Sequence, residues 1–271
     1  MSHSLIDVTG RTGSSVRVGG IDIGAAHPVR VIAGPCSVES PEQFMETARA
    51  VKAGGATILR GGAFKPRTSP YSFQGLGTTG LEIMREVGDE LGMGIVTEAM
   101  APDDVAIVAR FADMIQIGAR NMDNRALLKR AADSGLPILL KRGITATIDE
   151  VMVAAESLLA IGNEQVIICE RGERTFEPSI RNSLDIAAIP EIKYRSHLPV
   201  VADPSHGTGR TDLVEPAALA AIAAGADGII VEAHPDPSTA LSDGFQSMPT
   251  GEFRNFMASA RRMAWAVGRS I

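Results

Sequence analysis

The stretch Pro137-Ile138-Leu139-Leu140-Lys141 is a short, continuously apolar run that ends in a charged residue, and Thr147–Ile161 follows it after a turn. An uninterrupted apolar run of this length is typical of a strand that is buried on both faces of a sheet. The Ala- and Leu-rich stretch that follows has the apolar spacing of a helix. Together they predict one strand–helix unit of a parallel sheet.

The same unit recurs eight times along the 271 residues. Each Val-, Ile- or Leu-rich run ends in a Gly or polar turn and precedes an Ala-rich stretch. Among the predicted helices are Pro41–Ala53, with Ser40 as N-cap and Pro41 at the first helical position, Asp123–Ser134 and Leu213–Ala224. The predicted strands are Val29–Ala33, Thr57–Arg60, Gly94–Glu98, Met114–Gly118, Pro137–Lys141, Gln165–Glu170, Leu198–Ala202 and Gly228–Glu232.

Two α/β architectures satisfy this alternation, an open doubly wound sheet and a closed barrel. Eight units in a chain of this length favour closure, and no Gly-x-Gly-x-x-Gly opening follows the first predicted strand. We therefore predict a single (β/α)8 TIM barrel over residues 29–271. Residues 1–28 form a predicted N-terminal extension, in which Val16–Ile23 makes a short β-hairpin with a Gly19-Gly20 turn that closes the N-terminal end of the barrel.

The overall composition excludes several classes of protein. Hydrophobic residues make up 45% and charged residues 21%, which supports a large core and not a disordered chain. No apolar run approaches the roughly 18 to 20 residues that cross a bilayer, so no membrane partner is expected. The net charge is −6 and the basic residues are dispersed, which argues against nucleic acid as a partner. Two cysteines without a charged-then-apolar leader indicate the cytoplasm.

Cations cluster at the ends of the predicted strands. In a parallel barrel, side chains just past the C-terminal end of each strand converge on one mouth. Their mutual repulsion is costly unless an anion neutralises them, so we expect a strongly anionic ligand. Each of these residues alone could be an ordinary surface charge, but that alternative is weaker for the whole set. The set is Arg60, Lys65, Arg67, Arg120, Lys141 and Arg171, with Thr68 and Ser69 as hydroxyl donors beside Arg67.

A second group at the predicted mouth consists of Cys36, His206, Glu232 and Asp243. A thiolate, an imidazole and two carboxylates can hold a first-row divalent metal such as Mn, Fe, Co, Cu or Zn. From the residues alone, a structural alternative carries equal weight: a small buried cysteine, a turn histidine and a turn aspartate. His234 lies close enough to the mouth to support a metal ligand indirectly.

The segments at this mouth resemble those of the 3-deoxy-D-arabino-heptulosonate 7-phosphate (DAHP) synthases and the related 3-deoxy-octulosonate 8-phosphate synthases. The resemblance extends from about residue 16 onward. Lys65-Pro66-Arg67-Thr68-Ser69 is similar to the heptulosonate enzymes, because the octulosonate enzymes typically carry Ala-Asn-Arg after the Lys. The other matching segments are Ala33–Ser37, Arg60–Ser69, Gly118–Asn121, Leu140–Gly143, Glu170–Gly172, Asp203–His206 and Val231–Pro235.

The resemblance implies an activity: condensation of phosphoenolpyruvate and D-erythrose 4-phosphate with water, giving DAHP and phosphate, as the first step of the shikimate pathway. It implies a homo-oligomer, either a dimer or a tetramer. It also implies that Arg60, Lys65, Arg120, Lys141 and Arg171 bind phosphoenolpyruvate, that Arg67, Thr68 and Ser69 bind erythrose 4-phosphate, and that Cys36, His206, Glu232 and Asp243 bind one divalent metal ion. The catalytic candidates are Lys65, Glu98, His206 and Cys36.

Three alternatives to this activity remain open from the sequence. An octulosonate 8-phosphate synthase would carry out the same chemistry on arabinose 5-phosphate. A Schiff-base aldolase would use Lys141 as its amine nucleophile. A barrel kept as an anion-binding protein would bind phosphoenolpyruvate and yield no product.

Overall fold

Parallel strands alternate with helices in a computed structural model that describes residues 4–8, 13–65 and 71–271. The strands are β1 (Ser15–Val18), β2 (Ile21–Gly24), β3 (Arg30–Gly34), β4 (Ile58–Arg60), β5 (Gly94–Ala99), β6 (Met114–Ile117), β7 (Ile138–Lys141), β8 (Val166–Glu170), β9 (Val200–Ala202), β10 (Gly228–His234) and β11 (Met248–Pro249). The helices are α1 (Pro41–Gly54), α2 (Thr78–Leu91), α3 (Asp104–Val108), α4 (Arg125–Asp133), α5 (Ile148–Ala160), α6 (Ala188–Arg195), α7 (Pro204–Thr208), α8 (Thr211–Ala223) and α9 (Phe253–Ala266).

The strands from β3 to β10 close into an eight-stranded parallel barrel. Each strand pairs with the next, and β10 pairs with both β3 and β9, which closes the ring. β11 pairs in parallel with the C-terminal end of β10, where Ala233 lies opposite Met248. This confirms the predicted barrel against the open sheet. The eighth strand continues to His234, two residues past its predicted end.

Side chains of the strands alternate between two apolar layers, because successive residues of a strand point to opposite faces. The outer layer packs the strands against the helices. The inner layer fills the barrel and consists of Ile32, Ile58, Val96, Met114, Leu139, Ile167, Cys169, Val201 and Ile230. This alternation determines which side chains project into the mouth of the barrel.

Local capping explains where the helices begin. Ser40 caps α1 as predicted, since its side chain accepts a hydrogen bond from the Gln43 N–H. Thr147 and Glu150 form a capping box at the start of α5. The predicted start of the fourth helix at Asp123 was wrong: Asn124 accepts from the Leu127 N–H and caps a helix that begins at Arg125. Within the described residues, no helix is both long and apolar enough to cross a membrane.

The N-terminal hairpin closes one end of the barrel. β1 and β2 pair antiparallel around Gly19 and Gly20, both with positive φ. Val16, Val18 and Ile23 are fully buried and belong to the inner apolar layer of the barrel. The predicted hairpin is thereby confirmed, and its apolar face is part of the core.

We expect Ile23→Ala to lower the free energy of unfolding by about 2–5 kcal/mol, the cost of truncating a fully buried Ile side chain. Ile21→Ala is the matched control, because Ile21 lies in the same hairpin but is only partly buried, and its loss should be clearly smaller. Urea denaturation of both variants measures the difference. Equal losses would mean that the hairpin is not part of the barrel core.

Candidate active site

Position within each strand decides which polar side chains reach the mouth. A residue two positions after an inward-facing apolar residue faces inward as well, one step closer to the C-terminal end. Seven strands follow this rule, and each then presents a polar side chain. The pairs, with the inner-layer residue first, are Ile58 and Arg60, Val96 and Glu98, Met114 and Gln116, Leu139 and Lys141, Cys169 and Arg171, Val201 and Asp203, and Ile230 and Glu232.

The neighbouring charged residues have the opposite orientation. Arg142 and Glu170 form a buried ion pair with 2.9 Å between Nη1 and Oε2. Arg142 also contacts Glu173 and Asp185, both at 3.2 Å, in the segment after β8. This cluster anchors the segment that carries Arg171, and Arg142 and Glu170 do not line the mouth cavity.

The mouth cavity has a volume of about 270 Å³ and brings most of the predicted site residues together. It is lined by Arg60, Lys65, Glu98, Arg120, Lys141, Arg171, His206 and Asp243. A larger groove of about 570 Å³ lies beside α4 and α5, and among the described site residues it contains Arg120 alone. We assign the site to the smaller cavity because the convergent charges lie there. The predicted Arg67, Thr68 and Ser69 lie outside the described residues.

The cations of the cavity carry more positive charge than their neighbours neutralise. Arg60 and Lys141 form buried ion pairs with Glu232 (2.7 Å) and Asp203 (2.6 Å). Arg60 Nε is buried and has no hydrogen-bond partner within the described residues. Among the residues that the structure describes, no carboxylate forms an ion pair with Arg120 or Arg171. Burial lowers the pKa of Arg171, because it disfavours the charged guanidinium. An anion bound among these groups would satisfy both the charge and the orphaned donor.

Three of the four predicted metal ligands, Cys36, Glu232 and Asp243, have ligand atoms within 4.8 Å of one another, and His206 lies beside Glu232 and Asp243. Cys36 Sγ lies 3.4 Å from Asp243 Oδ2. His206 Nε2 lies 3.4 Å from Glu232 Oε1 and 3.9 Å from Asp243 Oδ2. Ligand atoms around a tetrahedral metal at about 2.0–2.3 Å stand about 3.3–3.5 Å apart. The Cys36–Asp243 and His206–Glu232 distances lie in this range, and the four donor types suit a divalent first-row metal ion.

The pKa values of three predicted ligands, Cys36, His206 and Glu232, are shifted by their surroundings. Burial, followed by the charge of Glu232, raises the pKa of the Cys36 thiol to about 11. Burial lowers the pKa of His206, which favours the neutral imidazole that binds metals. Although burial opposes it, the interactions of Glu232 with the His206 ring and the Arg60 guanidinium lower its pKa to about 2. A divalent cation would favour loss of the thiol proton, since a coordinating thiol is deprotonated.

Residues around the ligands hold them in place, and the sequence did not reveal them. Gln246 Nε2 donates to Glu232 Oε2 at 2.6 Å, while Arg181 donates to Gln246 Oε1 at 2.9 Å. Glu39 Oε1 accepts from the Leu241 N–H at 2.9 Å and so anchors the loop of Asp243, whose φ is +48°. Gln246 ends a three-residue 3-10 helix, Gly244–Gln246, which is too short to have a sequence pattern that predicts its orientation. The signal for Arg181 was the recurrence of arginine after Glu170, at positions 171, 174 and 181.

His234 and Glu98 have distinct positions. His234 Nε2 lies 3.4 Å from Glu39, so it reaches the loop of Asp243 through Glu39 and not through a metal ligand. Glu98 lines the cavity and accepts from Gln116 Nε2 at 2.9 Å. A Cβ atom on Gly118 would stand 2.1 Å from Glu98 Oε1, so a glycine is required there for the carboxylate to lie in this position.

The sequence matches the family described as the DAHP synthetase I family over residues 7–268. A phospho-2-dehydro-3-deoxyheptonate aldolase from Thermotoga maritima is 53% identical over 256 residues, covering 94% of this chain and 75% of the relative. A 2-dehydro-3-deoxyphosphooctonate aldolase from Acidithiobacillus ferrooxidans is 30% identical over 260 residues, covering 89% of this chain and 92% of the relative.

Solved structures give the same result. The crystal structure of the phospho-2-dehydro-3-deoxyheptonate aldolase (DAHP synthase) from Thermotoga maritima has a TM-score of 0.95 at 50% identity, covering 98% of this chain and 78% of that chain. A truncated form of 3-deoxy-D-arabino-heptulosonate 7-phosphate synthase from Thermotoga maritima has a TM-score of 0.93 at 46% identity, covering 100% of this chain and 99% of that chain. The chain therefore belongs to the DAHP synthetase I family.

Proposed function

We propose that the chain is a 3-deoxy-7-phosphoheptulonate synthase, which condenses phosphoenolpyruvate and D-erythrose 4-phosphate with water to give DAHP and inorganic phosphate. The observation that carries the proposal is the contact between the cationic pocket and the metal-type cluster, where Lys65 Nζ lies 2.9 Å from Cys36 Sγ. One anionic substrate and one metal-bound group can thus meet within a single cavity. The 53% identical relative bears the heptonate name, while the octonate relative is 30% identical.

Phosphoenolpyruvate carries a carboxylate and a phosphate, and the cavity offers a matching set of cations. Buried Arg and Lys side chains suit these two groups, because Arg binds them in bidentate fashion and Lys acts as a point charge. In this proposal Arg60, Lys65, Arg120, Lys141 and Arg171 fix the substrate and stabilise the negative charge that develops on the phosphate as it leaves. The orphaned Arg60 Nε gains a partner in the complex.

Cys36, His206, Glu232 and Asp243 would hold one divalent ion, of Mn, Fe, Co, Cu or Zn. When bound, this ion supplies Lewis-acid polarisation of the aldehyde carbonyl of the aldose phosphate. The remaining task of the chain is to manage protons. Lys65 and Glu98 line the same cavity as His206. In the proposed reaction, C3 of phosphoenolpyruvate bonds to the aldehyde carbon, and water then adds to C2. We assign Glu98 as a candidate to accept the proton of that water.

In this scheme the C–O bond between C2 and the phosphate breaks, and inorganic phosphate leaves. The atoms balance, because phosphoenolpyruvate, the aldose phosphate and water together give DAHP and inorganic phosphate. Phosphoenolpyruvate labelled with ¹⁸O at the bridging oxygen tests the scheme. The label is expected in inorganic phosphate, and mass spectrometry is expected to show a seven-carbon 3-deoxy-2-keto sugar phosphate. Label retained in the organic product would contradict the proposed bond cleavage.

A Schiff-base mechanism is a weaker candidate for a structural reason. Lys141 Nζ donates to the fully buried Asp203 carboxylate at 2.6 Å, so the amine that a Schiff base would require as nucleophile is held in an ion pair. Borohydride trapping with phosphoenolpyruvate and the aldose phosphate should leave no covalent adduct on Lys141.

Arg67→Ala is expected to raise the KM for erythrose 4-phosphate by about 10- to 100-fold, since a charge-assisted hydrogen bond contributes about 1.5–3 kcal/mol. The assignment of Arg67 rests on the resemblance of Lys65–Ser69 to the heptulosonate enzymes. Arg120→Ala is the paired variant and should raise the KM for phosphoenolpyruvate instead. Steady-state kinetics with each substrate varied in turn will decide; an Arg67→Ala effect confined to phosphoenolpyruvate would refute this division of the cavity.

A further inference from the structure

Asp203 lies between the two halves of the site. It follows β9 and its carboxylate is fully buried. Oδ2 accepts a hydrogen bond from Lys141 Nζ at 2.6 Å and lies 2.8 Å from His206 Nδ1. Oδ1 accepts from the His206 backbone N–H at 3.0 Å. One carboxylate thus contacts a cation proposed to bind phosphoenolpyruvate and both the backbone and the ring of a proposed metal ligand.

Other contacts connect the same two halves without an intermediate. Arg60 Nη1 lies 2.7 Å from Glu232 Oε1, and Lys65 Nζ lies 2.9 Å from Cys36 Sγ. In both cases a cation that lines the mouth cavity contacts a proposed metal ligand directly. Among the described residues, hydrogen bonds connect Lys141 to His206 through Asp203, so this connection can be removed without deleting a metal ligand or a substrate cation.

The arrangement has an electrostatic consequence. Before substrate binds, Arg60 and Lys141 form ion pairs with Glu232 and Asp203, the carboxylates on the metal side of the site. An arriving divalent cation is repelled by the same charges. When an anion neutralises Lys141, Asp203 can interact more strongly with the Nδ1–H of His206, and a carboxylate bonded to this nitrogen strengthens the ring as a ligand through Nε2.

We propose that Asp203 is a positioning residue through which the binding of phosphoenolpyruvate and the binding of the metal ion strengthen each other. The inference rests on the proposed function, because it takes the two ligands from it. Coupling between two ligands is reciprocal, so each must raise the affinity for the other by the same factor. His206 is well placed to respond, because its ring and its backbone are bonded to the same carboxylate.

Titration with Mn²⁺, followed through the electron paramagnetic resonance of the free ion, tests the coupling with and without phosphoenolpyruvate. For the unmodified protein we expect phosphoenolpyruvate to lower the Kd for Mn²⁺ by about 10-fold, within the usual range of coupling factors. Asp203→Asn should raise the Kd for Mn²⁺ by about 10- to 100-fold, as loss of a carboxylate behind a metal-binding His does. It should also lower the factor by which phosphoenolpyruvate reduces the Kd for Mn²⁺, while the direct Arg60–Glu232 and Lys65–Cys36 contacts keep part of the coupling.

Asp227→Asn is the matched control. Asp227 is also fully buried, accepts from Lys193 Nζ at 2.6 Å and precedes β10. Its loss should lower stability and leave the coupling factor unchanged. Asp203→Glu, which keeps a displaced carboxylate, should restore part of the coupling and serves if Asp203→Asn does not fold. As a spectroscopic check, the visible bands of Co²⁺ bound to Asp203→Asn should differ from those of the unmodified protein, since the His206 ring is no longer fixed.

The outcomes separate the inference from the function on which it rests. An unmodified protein that binds both ligands without mutual effect would overturn the inference alone. An unchanged coupling factor in Asp203→Asn, or an equal loss in Asp227→Asn, would do the same. A protein that binds neither Mn²⁺ nor phosphoenolpyruvate would overturn the proposed function, and the role of Asp203 with it.

Discussion

Replacement of Cys36 by Ala is expected to lower kcat/KM by about 10³-fold at fixed metal concentration. The variant loses the sulfur ligand and leaves His206, Glu232 and Asp243 to hold the ion. Lewis-acid catalysis by a bound metal contributes several kcal/mol to the reaction, and each 1.36 kcal/mol corresponds to a factor of ten in rate. Steady-state turnover and metal content after dialysis should fall together, while the circular dichroism of the barrel should not change.

The second cysteine provides the control. Cys169 is fully buried in the inner layer of the barrel on β8, and its Sγ donates to the Glu170 carbonyl at 3.9 Å. Cys169→Ala removes the same atom type from a site that is not part of the metal cluster, so metal content should be retained. Undiminished turnover in Cys36→Ala, or an equal loss of metal in Cys169→Ala, would refute the metal assignment.

Arg60→Met is expected to lower the free energy of unfolding by about 3–5 kcal/mol, the typical cost of removing one partner of a buried ion pair. The Arg60 side chain is 6% exposed and that of Glu232 is 0% exposed, so the remaining carboxylate would keep an uncompensated charge. The KM for phosphoenolpyruvate should rise as well. Urea denaturation measures the first effect and steady-state kinetics the second.

Arg49→Met is the matched surface variant. Arg49 and Glu90 are 2.9 Å apart, but their side chains are 63% and 52% exposed. Pairs of this kind contribute about 0–1 kcal/mol, because water screens them and side-chain entropy opposes them. If the two arginine variants lose similar stability, the Arg60–Glu232 pair is not the desolvated link between pocket and metal cluster that we infer.

Much of the barrel could be predicted because its signals are local. An apolar run, a turn and a helical spacing recur with each unit, and caps such as Ser40 depend on a few neighbouring residues. Strand ends were less predictable. Whether Lys141 or Arg142 faces the mouth depends on the exact register of β7 against β8, because adjacent side chains of a strand point to opposite faces. A shift of one position exchanges their roles.

The site could be predicted in outline, and its connections could not. The ligand types of Cys36, His206, Glu232 and Asp243 suggested a metal, but only the resemblance favoured that interpretation over turn and core residues. Gln246 contacts Glu232, and Glu39 contacts the Leu241 backbone in the loop of Asp243. Both contacts depend on tertiary packing, which the local sequence does not specify. Asp203 was visible in a motif, yet its contact with Lys141 joins residues 62 positions apart. The assignment of Arg67, Thr68 and Ser69 to the aldose phosphate stays a prediction.

Phosphate release from phosphoenolpyruvate, with either erythrose 4-phosphate or arabinose 5-phosphate as the second substrate, tests the proposed reaction most directly. Each sugar is assayed with Mn²⁺ and with excess EDTA. We predict metal-dependent release with erythrose 4-phosphate and none with arabinose 5-phosphate. Release with the five-carbon sugar would contradict the interpretation of Lys65–Ser69, and release with neither sugar would favour a protein that binds phosphoenolpyruvate without turning it over.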